Sequence, residues 1–253
     1  MTESLLFAIL NSEMIKKIIC LFFFIFFTGT LSCFAHPFYE GERLSYVIKL
    51  MGIPVGTQVL KVEDVIQEGE KSLYLLTSMV KTSGIASIFF DMDDRVESIV
   101  DGETFYPRFV RIKIKENSRR EEIEAKIKEN RENIKAFLWD KRRGKKWEEE
   151  LSSSPLDILS LVYWIRAQKL EVGKKFEVLL LDIPGKFEPI NFEVVREDKA
   201  YTYLGVFPAL VCEQKNVKGR IRVWFSRDER HLPLYIQVDT SLGYLTAILR
   251  KVD

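Results

Sequence analysis

The feature that most limits the fold of this chain is an alternation of apolar and polar residues with period two, repeated from Gly41 almost to the C-terminus. In GERLSYVIKLMGIPVGTQVLKVEDVI, residues 41–66, Leu44, Tyr46, Ile48 and Leu50 recur at every second position. After Gly52 and Pro54 the alternation resumes as Val55, Thr57, Val59 and Lys61. Successive side chains of a strand point to opposite faces, so this period suits a sheet with one packed and one wet face, and the Gly/Pro break reads as a hairpin turn. KSLYLLTSMVKT reads as a strand by the same logic. RVESIVD with TFYPRFVRIKIKE, and EEIEAKIKE with RENIKAFLWDK, read as two further hairpins. Ile123 and Ile127 are also four apart, but a helical stripe would bring Lys126 and Lys128 onto the apolar side, and Ala125 between them favours period two. From Lys174 onward KFEVLLLDI, INFEVVRED, YTYLGVFPALVCEQK, GRIRVWFSRD, LPLYIQVD and YLTAILRK are strands, with turns at Pro184–Gly185, Asp198, Gly205, Gly219 and Gly243.

One segment breaks the pattern. SSSPLDILSLVYWIRAQKLEVGKKF reads as a helix from Pro155 to about Ala167, with Ser154 as the cap, Pro155 at the first helical position, Asp157 favouring the positive end of the dipole and Gly173 after the stop. Leu156, Ile158, Leu159, Leu161, Val162, Tyr163, Trp164 and Ile165 leave it almost no polar side, so it must be buried or must cover something apolar. The expected fold is therefore mainly β: a single antiparallel curved sheet or half-open β-barrel with one apolar helix packed in its concave side.

The N-terminal stretch limits the compartment. Lys16 and Lys17 precede an apolar run from Ile18 to Phe27, and Ser32, Cys33, Phe34, Ala35 has the small residues of a cleavage site, so residues 1–35 read as a secretory signal peptide, with translation starting at Met1 or Met14. The apolar run is shorter than the roughly 20 residues of a spanning helix. A rival reading takes Thr30, Leu31, Ser32, Cys33 as a lipoprotein signal with Cys33 lipidated. The expected location is exported, periplasmic, with a lipid-anchored form as the alternative. Residues 36–253 then form one β domain without a membrane span.

The exported chain keeps Cys212 alone, in the apolar alternation of PALVCEQ, with no histidine or basic neighbour to activate it, and it reads as a core residue. It keeps only His36 and His231, which excludes a multi-histidine metal site. With Lys plus Arg at 38 against Asp plus Glu at 37, no global field draws nucleic acid. The basic run KRRGKK, residues 141–146, is a solvated hairpin tip between Trp139 and Trp147, since three glutamates follow at once. No GxSxG, HExxH, paired CxxC or phosphate-binding glycine loop occurs, and no cofactor is expected.

Two segments share a plan. RVESIVDGETFYPRFVRIKI and RIRVWFSRDERHLPLYIQVD each run strand, acidic turn, proline, strand, with Pro107 and Pro233 where the second strand begins, a place that tolerates a missing backbone donor. Together with GERLSYVIKLMGIPVGT, TSGIASIFFDMDDRVESIVD and SPLDILSLVYWIRAQKLEVGKKF, they make the chain resemble the exported bacterial domain-of-unknown-function family 3108 over nearly all of residues 36–253. The plan is also similar to the half-barrel proteins that carry lipoproteins across the bacterial periplasm, which is an analogy of fold. The first resemblance implies an exported antiparallel β-protein and carries over no catalytic residues.

The stretch FFDMDDRVESIVD, residues 89–101, gathers Asp91, Asp93, Asp94, Glu97 and Asp101. Counted from Asp91 as a calcium loop, it has Val96 where glycine is required and Gly102 where a bidentate glutamate is required, which excludes an EF-hand. Asp93, Asp94 and Glu97 are the candidates for paired-carboxylate hydrolysis of an envelope polysaccharide. The alternative has Asp93 and Asp94 capping a turn while Arg95 and Glu97 face water against Val96 and Ile99, with Ser98 turned inward. No metal is expected. The leading functional expectation is a non-enzymatic envelope protein that binds a lipid, an acyl chain or a protein partner on a concave apolar face through Leu159, Val162, Tyr163 and Trp164. A scaffold with a filled core and the hydrolase are the alternatives.

Overall fold

The computed structural model describes residues 38–253, apart from 70, 85, 90, 131–132, 183–184, 216–219 and 241–242 and the side chains at 88 and 89. The expected signal peptide, the alternative of lipidation at Cys33 and His36 all fall outside the described residues. The first eight strands are β1 (Arg43–Leu50), β2 (Ile53–Glu68), β3 (Lys71–Thr82), β4 (Asp93–Asp101), β5 (Pro107–Glu116), β6 (Arg119–Glu129), β7 (Ile134–Asp140) and β8 (Lys145–Leu151). The rest are β9 (Pro155–Leu156), β10 (Lys175–Asp182), β11 (Lys186–Thr202), β12 (Gly205–Gln214), β13 (Ile221–Ser226), β14 (Pro233–Thr240) and β15 (Gly243–Val252). A single turn of helix, α1 (Ala86–Phe89), follows β3, and α2 (Ile158–Arg166) follows β9.

All fifteen strands form one sheet in the order β8 to β1, then β15 down to β9. From β1 to β8 and from β10 to β15, neighbours in the chain pair as antiparallel strands, and β1 and β15 join the two ends of the described chain. The sole parallel pair among the described residues is β9 with β10, which makes the sheet mixed where the sequence alone suggested an antiparallel one. The sheet curls until it nearly closes into a barrel, leaving one seam between its two outermost regions.

The alternation sets most of the hairpins, but the turn expected at Asp198 lies instead inside β11, whose hairpin with β12 turns between Thr202 and Gly205. Six strand pairs carry a register shift, and the one in β1–β2 changes which residues of β2 face inward. Ile48 pairs with Gly56 but Lys49 with Pro54, so a bulge takes up one residue and turns Gly56, Gln58, Leu60 and Val62 inward, in place of the expected Thr57, Val59 and Lys61. Gly56 is needed there, because a Cβ would lie 2.4 Å from the Lys81 carbonyl oxygen on β3. Both strand-turn-proline segments are antiparallel neighbours, β4 with β5 and β13 with β14. In each loop the residue two before the proline, Phe105 or His231, takes a positive φ. The left-handed backbone is unusual away from glycine. Here it turns Phe105 into an aromatic cluster with Phe38, at 5.2 Å between ring centres, and brings His231 Nδ1 within 2.8 Å of the Arg166 carbonyl oxygen.

The helix is shorter than its apolar run. Asp157, not Ser154, is the cap: its carboxylate accepts from the Leu159 and Ser160 N–H groups while the Ser160 hydroxyl accepts from the Asp157 N–H. Pro155 and Leu156 sit instead in β9, paired with Leu179 and Leu180. The reciprocal capping box satisfies more of the orphan N–H groups than the single serine could, and the strand pairing holds Pro155 outside the helix. Leu159 and Tyr163 pack toward β1–β3 and β14–β15, and Leu161 and Ile165 toward β10–β13. A third cluster closes the seam, where Val110, Ile112, Ala125, Ala136 and Leu138 meet Leu181.

Candidate functional site

The inner faces of β1–β3 and β11–β15 and one side of α2 enclose a cavity of about 800 Å³. Its lining follows the strand period: Ile48 and Leu50 on β1; Gly56, Gln58 and Leu60 on β2; Ser78, Val80 and Thr82 on β3; Val223 and Phe225 on β13; Leu245 and Ala247 on β15. Ile158, Leu159, Leu161, Val162 and Ile165 of α2 form the inner wall. The mouth lies where Leu50, Val55, Thr82, Ala86, Met92 and Thr240 gather at the ends of strands and in α1. Lys81 touches the cavity out of phase with its neighbours, and its ammonium faces outward, 3.3 Å from the Asp93 carboxylate on the adjoining strand. The Thr82 hydroxyl accepts from the Met92 N–H at 3.0 Å and the Thr240 hydroxyl donates to the Gly243 carbonyl at 2.8 Å. What remains is an almost wholly apolar chamber with one polar pair on its wall, Gln58 Nε2 donating to Ser78 Oγ at 3.2 Å.

Cys212 lines the same chamber, and burial pushes its thiol up to about 12, so it is an inert wall residue. Of the four helix residues expected on the concave face, Leu159 and Val162 line the cavity and Tyr163 and Trp164 do not. Tyr163 stacks edge-on against Phe38, 4.9 Å between centres, and Trp164 packs edge-on against Phe176 at 5.6 Å. A helix surrounded on most sides has only one face for a ligand, so the apolar run alone could not choose among its rings.

A charged clamp holds the C-terminal end of α2. Arg166 and Glu42 are fully buried and form a forked pair, Nη1 to Oε1 at 2.6 Å and Nη2 to Oε2 at 2.9 Å. Arg230 adds a longer contact to Glu42 at 3.5 Å, and the Arg166 guanidinium lies over the rings of Phe38 and Tyr163. The Tyr163 hydroxyl is buried without a partner among the described residues. At the other end of the helix the buried Asp157 carboxylate also accepts the Ser98 hydroxyl at 2.8 Å. Burial pushes Asp157 above the usual carboxylate range, against the opposing pull of these hydrogen bonds.

The acidic stretch spreads its charges over different partners. Asp93 pairs with Lys81, and Glu97 bridges Arg95 at 2.9 Å and Arg111 at 2.8 Å. Asp94 accepts the Lys115 N–H across the ladder at 2.9 Å, and burial raises its pKa above the ordinary value. The turn-capping carboxylate is Asp101, which accepts the Glu103 and Thr104 N–H groups; Asp93 and Asp94 do not cap. Ser98 faces inward as the alternation requires, joined by Val100, while Ile99 lies on the outer side. Among the described residues no group of three or more His, Cys, Asp or Glu side chains could hold a metal ion, and no helix is long and apolar enough to cross a membrane.

The curved sheet and its enclosed helix define a barrel-like β-protein, and comparison with known proteins narrows the class. Residues 45–250 match the family described as protein of unknown function DUF3108, and the chain belongs to that family. Its fold is similar to that of a β-barrel-like protein of domain of unknown function DUF1849 from Brucella abortus, at 12% identity and a TM-score of 0.54, covering 85% of this chain and 97% of that one. Two further matches are a candidate exported protein with a YmcC-like fold from Bacteroides fragilis, at 9% identity, and a candidate lipoprotein from Parabacteroides distasonis, at 8%. Their TM-scores are 0.36 and 0.38; each match covers 85% of this chain and 96% of the other. None of the curated proteins matches the sequence.

Proposed function

We propose that the chain is an exported, non-enzymatic envelope protein that takes up the acyl chain of a lipid in the cavity beside α2. The observation that carries this reading is the cavity itself. At about 800 Å³ it falls in the size range of small-molecule sites, and its walls are aliphatic and aromatic apart from Gln58, Ser78, Cys212, the bonded threonines and the outward-turned Lys81. Each methylene moved from water into such a chamber contributes about 0.8 kcal/mol, so a long chain gains more than a compact polar ligand could. The basic and apolar N-terminal stretch ending at Ala35 supports export. A filled scaffold would have needed large side chains to meet across this space, and the acidic residues of β4 are taken up by separate ion pairs and, for Asp94, by the Lys115 N–H.

The test is mass spectrometry of organic extracts from protein purified out of its native envelope, paired with titration of the delipidated protein by Nile red. Acyl lipids at near-stoichiometric yield and saturable dye binding are expected. A lipid-free extract together with no saturable binding would leave the scaffold as the better reading.

A further inference from the structure

Gln58 and Ser78 stand out because every other polar side chain that lines the cavity is either engaged with backbone or turned outward. Their mutual bond uses one Nε2 hydrogen of Gln58 and one acceptor site of Ser78. Among the described residues the Gln58 carbonyl oxygen has no donor and the Ser78 hydroxyl proton has no acceptor. A spare acceptor and a spare donor thus lie side by side on an apolar wall. Ser78 is four residues from Thr82 at the mouth, which at the rise of a strand is about 13 Å inside. Polar groups left unmatched in such surroundings are costly, and pockets use a few of them to fix a ligand's position.

The geometry points to a recognition point for one uncharged hydroxyl group on the bound chain, a proposal that rests on the acyl-binding reading above. A hydroxyl both donates and accepts, so it can give its proton to Gln58 Oε1 and accept that of Ser78, matching both spare valences at once. An ionised carboxylate cannot take the same place. It offers no proton to Gln58, and the lining brings no cationic side chain inward, since Lys81 is held outside by Asp93. An anionic head would stay at the mouth, and a pure hydrocarbon would leave both groups unpaired. The selected ligands are therefore neutral hydroxylated lipids over free fatty acids and over alkanes.

The test displaces Nile red from delipidated protein with 1-dodecanol, dodecane and laurate at mildly alkaline pH, in the parent and in Gln58→Leu, Ser78→Ala and the double variant. Far-UV circular dichroism and urea midpoints establish that each variant folds. Ser78→Ala, the smaller change, carries the test if Gln58→Leu does not. The parent is expected to bind dodecanol about tenfold more tightly than dodecane, the worth of a buried hydrogen bond. Each single variant should lose most of that preference, while dodecane binding holds or tightens and laurate binding is unmoved. If none of the three compounds displaces the dye, the acyl-binding reading itself fails. If all three displace it equally, the cavity reading survives and the hydroxyl site is overturned. A dodecanol preference that persists in the double variant overturns the assignment to these two residues.

Discussion

Between β5–β7 and β10 the interior is shut by interlocking aliphatic side chains, whereas between β1–β3 and β12–β15 the same sheet encloses about 800 Å³. Both regions have apolar inner faces with the same period of two, so hydrophobicity does not distinguish them. The helix does. At the seam no element intervenes, and Ala125 and Ala136, both fully buried, allow the facing strands to approach until Leu138 and Leu181 fill the gap. Elsewhere α2, a rod of about 10–12 Å with its side chains, stands between the walls and keeps them from meeting. The cavity is thus a consequence of where the helix is fixed, and the buried groups at its two ends fix it.

The largest expected effect breaks that fixture. Arg166→Met keeps an unbranched apolar stem but takes the guanidinium from over Phe38 and Tyr163 and leaves Glu42 buried with Arg230 as its nearest cation, 3.5 Å away. Removing one partner of a buried pair costs about 3–5 kcal/mol, read as a fall in the urea midpoint. Glu42→Leu combined with Arg166→Met should recover much of the loss, because the stranded charge is then gone. A single variant as stable as the parent would mean that the clamp does not hold the helix.

The intermediate effect compares the two regions directly by enlarging one residue in each. Ala136→Leu forces extra methylenes into the closed seam and should destabilise by about 1–3 kcal/mol. Val223→Leu adds a methylene toward the cavity and should be close to neutral in stability while weakening Nile red binding. Equal losses from both, measured by chemical denaturation, would mean that the chamber is as tightly packed as the seam.

Much of this architecture was legible in the sequence because hairpins announce themselves locally. The alternation in residues 41–66, the two strand-turn-proline segments and the turn at Gly52 all lie within one pair of strands. The phase of β2 was not legible, since the bulge opposite Lys49 depends on pairing rather than on the residue pattern. Nor was the clamp, because Glu42 and Arg166 are 124 positions apart and each looks locally like a solvated charge near the end of an element. The cavity was legible only as an excess of apolar residues around α2. Period two tells which side chains face inward, but whether they meet is set by the distance between walls. Gln58 could have been noticed once the bulge put it in phase with Leu60 and Val62, where a long polar residue is out of place.

The smallest effect tests the other end of the helix through pH. Burial raises the Asp157 pKa above its unfolded value, so the folded state binds a proton more tightly than the unfolded chain does. Between those two values stability falls as pH rises, and the penalty is complete above the folded pKa. Asp157→Asn removes the titration yet keeps an oxygen to accept the Leu159 and Ser160 N–H groups, and asparagine caps a helix about as well as aspartate. The variant should therefore lose little at acidic pH, and its urea midpoint should decline less than the parent's between the ordinary carboxylate range and neutrality. A parent midpoint that instead rises over that window, with the variant flat, would mean that the ionised carboxylate is favoured by its bonds to Ser98, Leu159 and Ser160. The N-terminal anchor of α2 would then be electrostatic in origin, its hydrogen bonds outweighing the cost of burying the Asp157 charge.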